Sequence, residues 1–330
     1  MGAIDQNLQP TAADVAAAAK LLAGVAVRTP LINAPVLDER VGARVFLKAE
    51  TLQRTGSFKF RGAYNKIASI PPDRRAAGVV AYSSGNHAQG VAAAARLLGL
   101  RATIVMPSDA PSAKRARTEA LGAEIVPYDR DKEDRAAIAH KIARDRGATL
   151  VPPYDDPLII AGQGTIGAEI VEDLARLGLA PEVVLVGASG GGLAAGTALG
   201  VKAKAPSADI HIVEPEGFDD TLRSFASGVR ETNARMSGTI CDALMTPTPG
   251  ALTFPITRAL IGKGFTVSDA EVATAVRYAF EELKLVVEPG GAVALAALLA
   301  GKLDVKGRVV AAILSGGNVD AALFAKLIGA

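Results

Sequence analysis

Short apolar runs alternate with longer amphipathic stretches along most of this chain. The runs are Val45–Leu47, Gly78–Tyr82, Ala102–Met106, Glu124–Pro127, Val183–Val186, Ile210–Val213 and Val309–Leu314, each short enough for a buried strand. Between them, Ala88–Leu98, Ser112–Leu121, Arg135–Arg146, Thr165–Leu177, Leu193–Ala205 and Asp269–Leu283 carry a helical period. A further helix is predicted at Thr11–Leu22, capped by Thr11, and residues 1–9 read as a loose leader. Strands that are apolar throughout are buried on both faces, as in parallel sheets covered by helices. The predicted class is therefore α/β, in two lobes, each an open, mainly parallel sheet flanked by helices. A small domain at 80–152 would hold three strand–helix units and interrupt a large domain made of 1–79 and 153–330.

Composition narrows the function. With 330 residues, 49% of them hydrophobic, the chain can build more than one core. Its 36 basic and 34 acidic residues leave a net charge of +2, no electrostatic case for nucleic acid. The single cysteine, Cys241, allows no internal disulfide and suits a reducing compartment. The opening MGAIDQNLQP lacks the basic start and apolar run of a signal peptide. The longest apolar stretches, such as Ala292–Ala300, are too short to span a bilayer. A soluble, cytoplasmic protein without a membrane partner is expected.

Three loops following predicted strands are rich in Gly, Ser and Asn: Ser83–His87, Gly187–Gly192 and Ser315–Asn318. Open α/β sheets bind ligands at such strand-to-helix turns, where backbone N–H groups and helix dipoles attract anions. Gly187-Ala188-Ser189-Gly190-Gly191 also fits the nucleophile elbow of a hydrolase. However, only His211 follows it, with Asp209 two residues away on the same short strand, a poor triad. A dinucleotide site could use Glu214 as its ribose acid, but the loop lacks G-x-G-x-x-G spacing and is better suited to cupping one phosphate. Lys59 stands between Phe58 and Phe60 in a turn containing Ser and Gly. Aromatic flanks favour a desolvated amine of lowered pKa, which a Schiff-base lysine requires.

Six segments together resemble the fold-type II pyridoxal-phosphate family of threonine dehydratases, serine dehydratases and serine racemases, whose architecture is like that of tryptophan synthase β. They are Ser57–Ala63, Ser83–His87, Ala161–Thr165, Gly190–Gly192, Glu288–Ala292 and Ser315–Asn318, in family order from about Leu31 to Asp320. The resemblance implies that Lys59 carries pyridoxal 5'-phosphate and acts as the base at Cα. Asn86 would bond the ring hydroxyl, and Phe58 and Glu288 would also touch the cofactor. Ser189, Gly190, Gly191, Gly192 and Leu193 would hold its phosphate, with Ser189 in place of the commoner glycine. Ser315 would face the pyridine nitrogen. A hydroxyl there holds a ring proton less well than a carboxylate, which favours prompt β-elimination over transamination.

By the same resemblance, Ser84 would lie on the ring face opposite Lys59, as a second acid or base. Ser83, Ser84, Gly85 and His87 would bind the substrate carboxylate, assisted by Arg135, although Arg135 also reads as part of a solvated charged helix. Glu214, Phe218 (by its carbonyl) and Asp220 resemble a divalent-cation loop suited to Mg²⁺ or Ca²⁺. The implied activity is dehydration and deamination of a β-hydroxy amino acid such as L-threonine or L-serine by a homodimer. A 3-hydroxyaspartate dehydratase, a serine racemase and an enzyme of hydroxyectoine breakdown are the alternatives.

Overall fold

The computed structural model describes residues 9–329, apart from the side chain of Ala113. Most of the expected leader thus lies outside the described residues. The larger of two sheets has six strands in the order β1 (Leu31–Asn33), β2 (Arg44–Ala49), β10 (Val309–Leu314), β7 (Val183–Gly187), β8 (Asp209–Pro215) and β9 (Gly264–Val267). Only β1 is antiparallel to its neighbour. The smaller sheet is parallel, in the order β5 (Glu124–Tyr128), β4 (Ala102–Pro107), β3 (Val79–Tyr82) and β6 (Thr149–Leu150).

The continuous apolar runs are explained by the two faces of the large sheet. Val183, Leu185, Val310, Ala312 and Leu314 point to one side, into a core shared with α11 (Asp269–Glu281) and α12 (Pro289–Leu299). Their neighbours Val184, Val186, Ala311 and Ile313 point to the other, against α7 (Pro157–Arg176) and α8 (Gly192–Lys202). Side chains alternate along a strand, so two covered faces require apolar residues at every position. The small sheet packs on α4 (Asn86–Leu97) and, through Phe60, Ala63 and Ile67, on α3 (Lys59–Ala68). Its other face meets Ala139 and Ala143 of α6 (Arg135–Arg146).

Several elements differ from the sequence reading. Lys59 does not sit in an open turn; it is the first residue of α3. The helix expected from Thr165 begins at Pro157, with the Asp156 carboxylate accepting the N–H groups of Leu158 and Ile159. Asp followed by Pro is the ordinary opening of a helix, masked here by the strand-like run Leu158–Ala161. Strand β1 has three residues and β6 two, too short for a period to register. The apolar stretch near Ala292 is the buried helix α12, polar on no side. Among the described residues, no helix is long and apolar enough to cross a membrane.

Candidate active site

A cleft of about 960 Å³ opens between the two sheets, lined from both lobes. Phe58, Lys59, Ser83, Ser84, Gly85, Asn86, His87, Arg135, Ser189, Gly190, Gly191, Gly192, Leu193, Glu288 and Ser315 all border it. The loops after β3, β7 and β10 converge there from the carboxyl ends of their strands, as parallel sheets require.

Lys59 lies deep in this cleft, its Nζ donating to the Pro153 carbonyl at 2.7 Å and standing 5.1 Å from the centre of the Phe58 ring. Burial lowers the amine to about 8, with Glu288 opposing the shift. Burial also pushes Glu288 up to about 7, aided by Asp242 and opposed by a hydrogen bond from Asn86. Asn86 Nδ2 donates to Glu288 Oε1 at 2.6 Å, and Asn318 Nδ2 donates to Asn86 Oδ1 at 2.8 Å. The Asn86 amide is thus fixed in orientation, with one N–H left for a ligand. His87 is buried with Nε2 2.9 Å from the Val151 carbonyl, which can only accept. Nε2 therefore carries the proton, and burial followed by nearby Lys59 depresses the ring to about 3. His87 is neutral near pH 7.

The glycine loop is shaped to meet an anion. Gly191 adopts φ +91°, a left-handed conformation that favours glycine. The N–H groups of Gly190, Gly191, Gly192 and Leu193 have no backbone acceptor among the described residues. They lie at the N-terminus of α8, where the helix dipole adds attraction. Ser189 Oγ accepts the Thr246 N–H at 3.1 Å, which leaves its own proton free to donate. A phosphate fits this cradle, and an aldehyde on the same molecule would find Lys59 within the cleft.

Arg135 begins α6 and places its guanidinium 5.7 Å from the centre of the Tyr82 ring. Cleft residues the sequence did not announce include Tyr82, Tyr154 and, just behind the wall, Asp155. Tyr154 packs against Gly190 so closely that a Cβ there would lie 2.5 Å from its ring.

The expected cation residues lie outside the cleft lining. Glu214, Phe218 and Asp220 are fully buried. Glu214 accepts the N–H groups of Thr221 and Leu222, and Asp220 Oδ1 accepts from Asn233 at 2.6 Å. Asp220 Oδ2 has no partner. No group of three or more His, Cys, Asp and Glu residues suited to a metal occurs among the described residues. Two carboxylates and a carbonyl form a smaller set than that, and an orphaned buried oxygen suits a hard cation.

Comparison with known proteins agrees with this geometry. The model of the family "Pyridoxal-phosphate dependent enzyme" matches residues 22–316. The chain is 47% identical to an L-threo-3-hydroxyaspartate ammonia-lyase of Pseudomonas sp, over 96% of this chain and 97% of that protein. It is 42% identical to an L-threonine ammonia-lyase of Thermotoga maritima, over 96% of this chain and 78% of the relative. Among solved structures, maize serine racemase superposes with a TM-score of 0.91 at 35% identity, covering 96% of each chain. A buried lysine facing a phosphate cradle, on a fold shared with these proteins, places this chain in the family of pyridoxal-phosphate dependent enzymes.

Proposed function

We propose that this protein converts a β-hydroxy amino acid into a 2-oxo acid and ammonia, with pyridoxal phosphate carried on Lys59. The observation that carries this reading is the deep amine of Lys59, lowered to about 8, across one cleft from a loop of free N–H groups. When bound, the cofactor supplies the electron sink that acidifies the substrate Cα–H. Lys59 takes that proton as general base, and Ser84 serves the opposite face. Ser83, Ser84, Gly85 and the backbone N–H groups that open α4, that of His87 among them, receive the substrate carboxylate, since the one ring N–H of His87 is spent on Val151. Asn86 and Glu288 would hold the ring of the cofactor, and Ser315 would face its nitrogen. The β-hydroxyl leaves Cβ as water, its added proton balancing the one removed from Cα; the enamine that remains tautomerises to an imine, whose hydrolysis releases the 2-oxo acid and ammonia. The reading includes a homodimer, which light scattering checks, and an Mg²⁺ or Ca²⁺ ion held by Glu214, Asp220 and the Phe218 carbonyl.

L-Threonine and L-serine are the substrates of this first reading. A second reading, 3-hydroxyaspartate, is favoured by the 47% identical relative of that name and by the Arg135 cation at the cleft. A buried second carboxylate without a cation would cost several kcal/mol. Comparing kcat/KM for L-threonine, L-serine and the diastereomers of 3-hydroxyaspartate decides between them. A hundredfold preference for a hydroxyaspartate, about 2.7 kcal/mol of transition-state binding, would establish the second reading. Absence of 2-oxo acid from all of these substrates would sink both.

A further inference from the structure

The chain returns from the smaller sheet through Pro153, Tyr154, Asp155 and Asp156, and each takes a separate task. Pro153 receives the Lys59 amine, Tyr154 covers Gly190, and Asp156 caps α7. Asp155 lies behind the glycine loop. Its Oδ2 accepts the Ala251 N–H at 2.8 Å, while Oδ1 accepts those of Leu252 at 2.8 Å and Thr253 at 3.2 Å. These amides open helix α10 (Thr253–Leu260), so one carboxylate fixes where that helix begins.

The helix start in turn grips the glycine loop. Thr253 Oγ1 donates to the Gly190 carbonyl at 2.6 Å, and the Gly250 N–H donates to the same oxygen at 3.1 Å. A peptide unit is planar and trans, so fixing its C=O in one direction fixes its N–H in the other. Holding the Gly190 carbonyl back toward α10 therefore aims the Gly191 N–H away from it, on the cleft side. Thr253 also fills the space beside Gly191, where a Cβ would lie 2.6 Å from Oγ1.

We infer that Asp155 is a positioning residue for the cofactor phosphate, acting through Thr253 and the Gly190 carbonyl. It touches neither cofactor nor substrate in this scheme. The inference rests on the reading of the glycine loop as the phosphate site, and the test separates the two.

The experiment measures apoenzyme affinity for pyridoxal phosphate and for pyridoxal, which lacks the phosphate, by isothermal titration calorimetry. The wild type should prefer the phosphate form strongly. Asp155→Ala and Thr253→Val should each cut that preference about tenfold or more, equivalent to about 1.4 kcal/mol, by weakening the phosphate form alone. Asp155→Asn, which keeps an acceptor oxygen, should lie between, and Thr253→Ser should retain the wild-type ratio. The double variant should lose little beyond either single one. Should Asp155→Ala fail to fold, the Asp155→Asn and Thr253→Val ratios decide. If both ligands weaken equally in the folded Asp155 variants, Asp155 merely supports the fold and the inference fails. A wild type that binds both ligands alike would instead remove the phosphate reading itself.

Discussion

The Lys59 amine donates to the Pro153 carbonyl oxygen at 2.7 Å, so the reactive nitrogen is held by the segment that returns from the smaller sheet. An amine titrating at about 8 instead of 10.5 is largely uncharged in mild alkali. Only the uncharged amine attacks an aldehyde. The rate at which apoenzyme takes up pyridoxal phosphate, followed by visible absorbance, should rise about tenfold per pH unit below 8 and level off above it. A rise continuing to about pH 10 would mark an ordinary exposed lysine. Lys59→Ala should remain colourless and lose about 10³-fold or more of its turnover.

Two residues further along α3, Arg61 makes paired contacts with two carboxylates, Glu50 at 2.8–2.9 Å and Glu169 at 2.7–2.9 Å. Lys48 reaches Glu169 at 2.6 Å. Arg61, Lys48 and Glu50 are almost fully buried, so their charges depend on one another. Glu50→Ala leaves the buried cations Arg61 and Lys48 sharing the carboxylate of Glu169, and should cost about 3–5 kcal/mol. Urea denaturation should show a lower midpoint with an unchanged slope. Replacing Arg61, Lys48, Glu50 and Glu169 together with apolar residues should cost much less. A small loss in the single variant would show that Glu169 alone satisfies the arginine.

Ser84 and Lys59 border one cleft, which suits work on opposite faces of a substrate. Ser84→Ala should depress racemisation and elimination from D-serine far more than elimination from L-serine, because the lysine alone serves the L face. Equal losses for the two enantiomers count against this division of roles.

The unpartnered Asp220 Oδ2 carries a further expectation. A chelator should lower the melting temperature and the rate together, with Mg²⁺ or Ca²⁺ restoring both. Binding to the native state alone stabilises by about 2.7 kcal/mol at a hundredfold excess over Kd. Asp220→Ala should abolish the response. Melting that ignores the chelator would retire the cation.

The sequence disclosed what repeats or what is chemically unusual. Buried strands announced themselves because both faces of the large sheet are covered, and Arg135–Arg146 was placed at its observed bounds. Lys59 and the three loops could be found because glycine clusters and an aromatic-flanked lysine have few other uses. Helix α7 was foreshortened because Leu158–Ala161 satisfies a strand and a buried helix equally well. Tyr154 and Asp155 left no trace, since their partners Gly190 and Ala251–Thr253 are remote in sequence and only the fold brings them together.

Strand order also bears on how the chain reaches its native state. In the larger sheet β10 lies between β2 and β7, pairing Val309 with Arg44 and Val310 with Val183. An interior partner of the early strand β2 is thus synthesised long after it, with strands β3 to β9 made in between. The smaller sheet needs only the continuous stretch from Val79 to Leu150. During synthesis it can close while Val45 and Leu47 still lack their β10 neighbours, Val310 and Ala312, and pairing so distant in sequence is intrinsically slow. Nascent chains halted before Val309 should therefore protect the smaller sheet from protease, expose the larger one, and depend on chaperones to keep its apolar strands from associating between molecules.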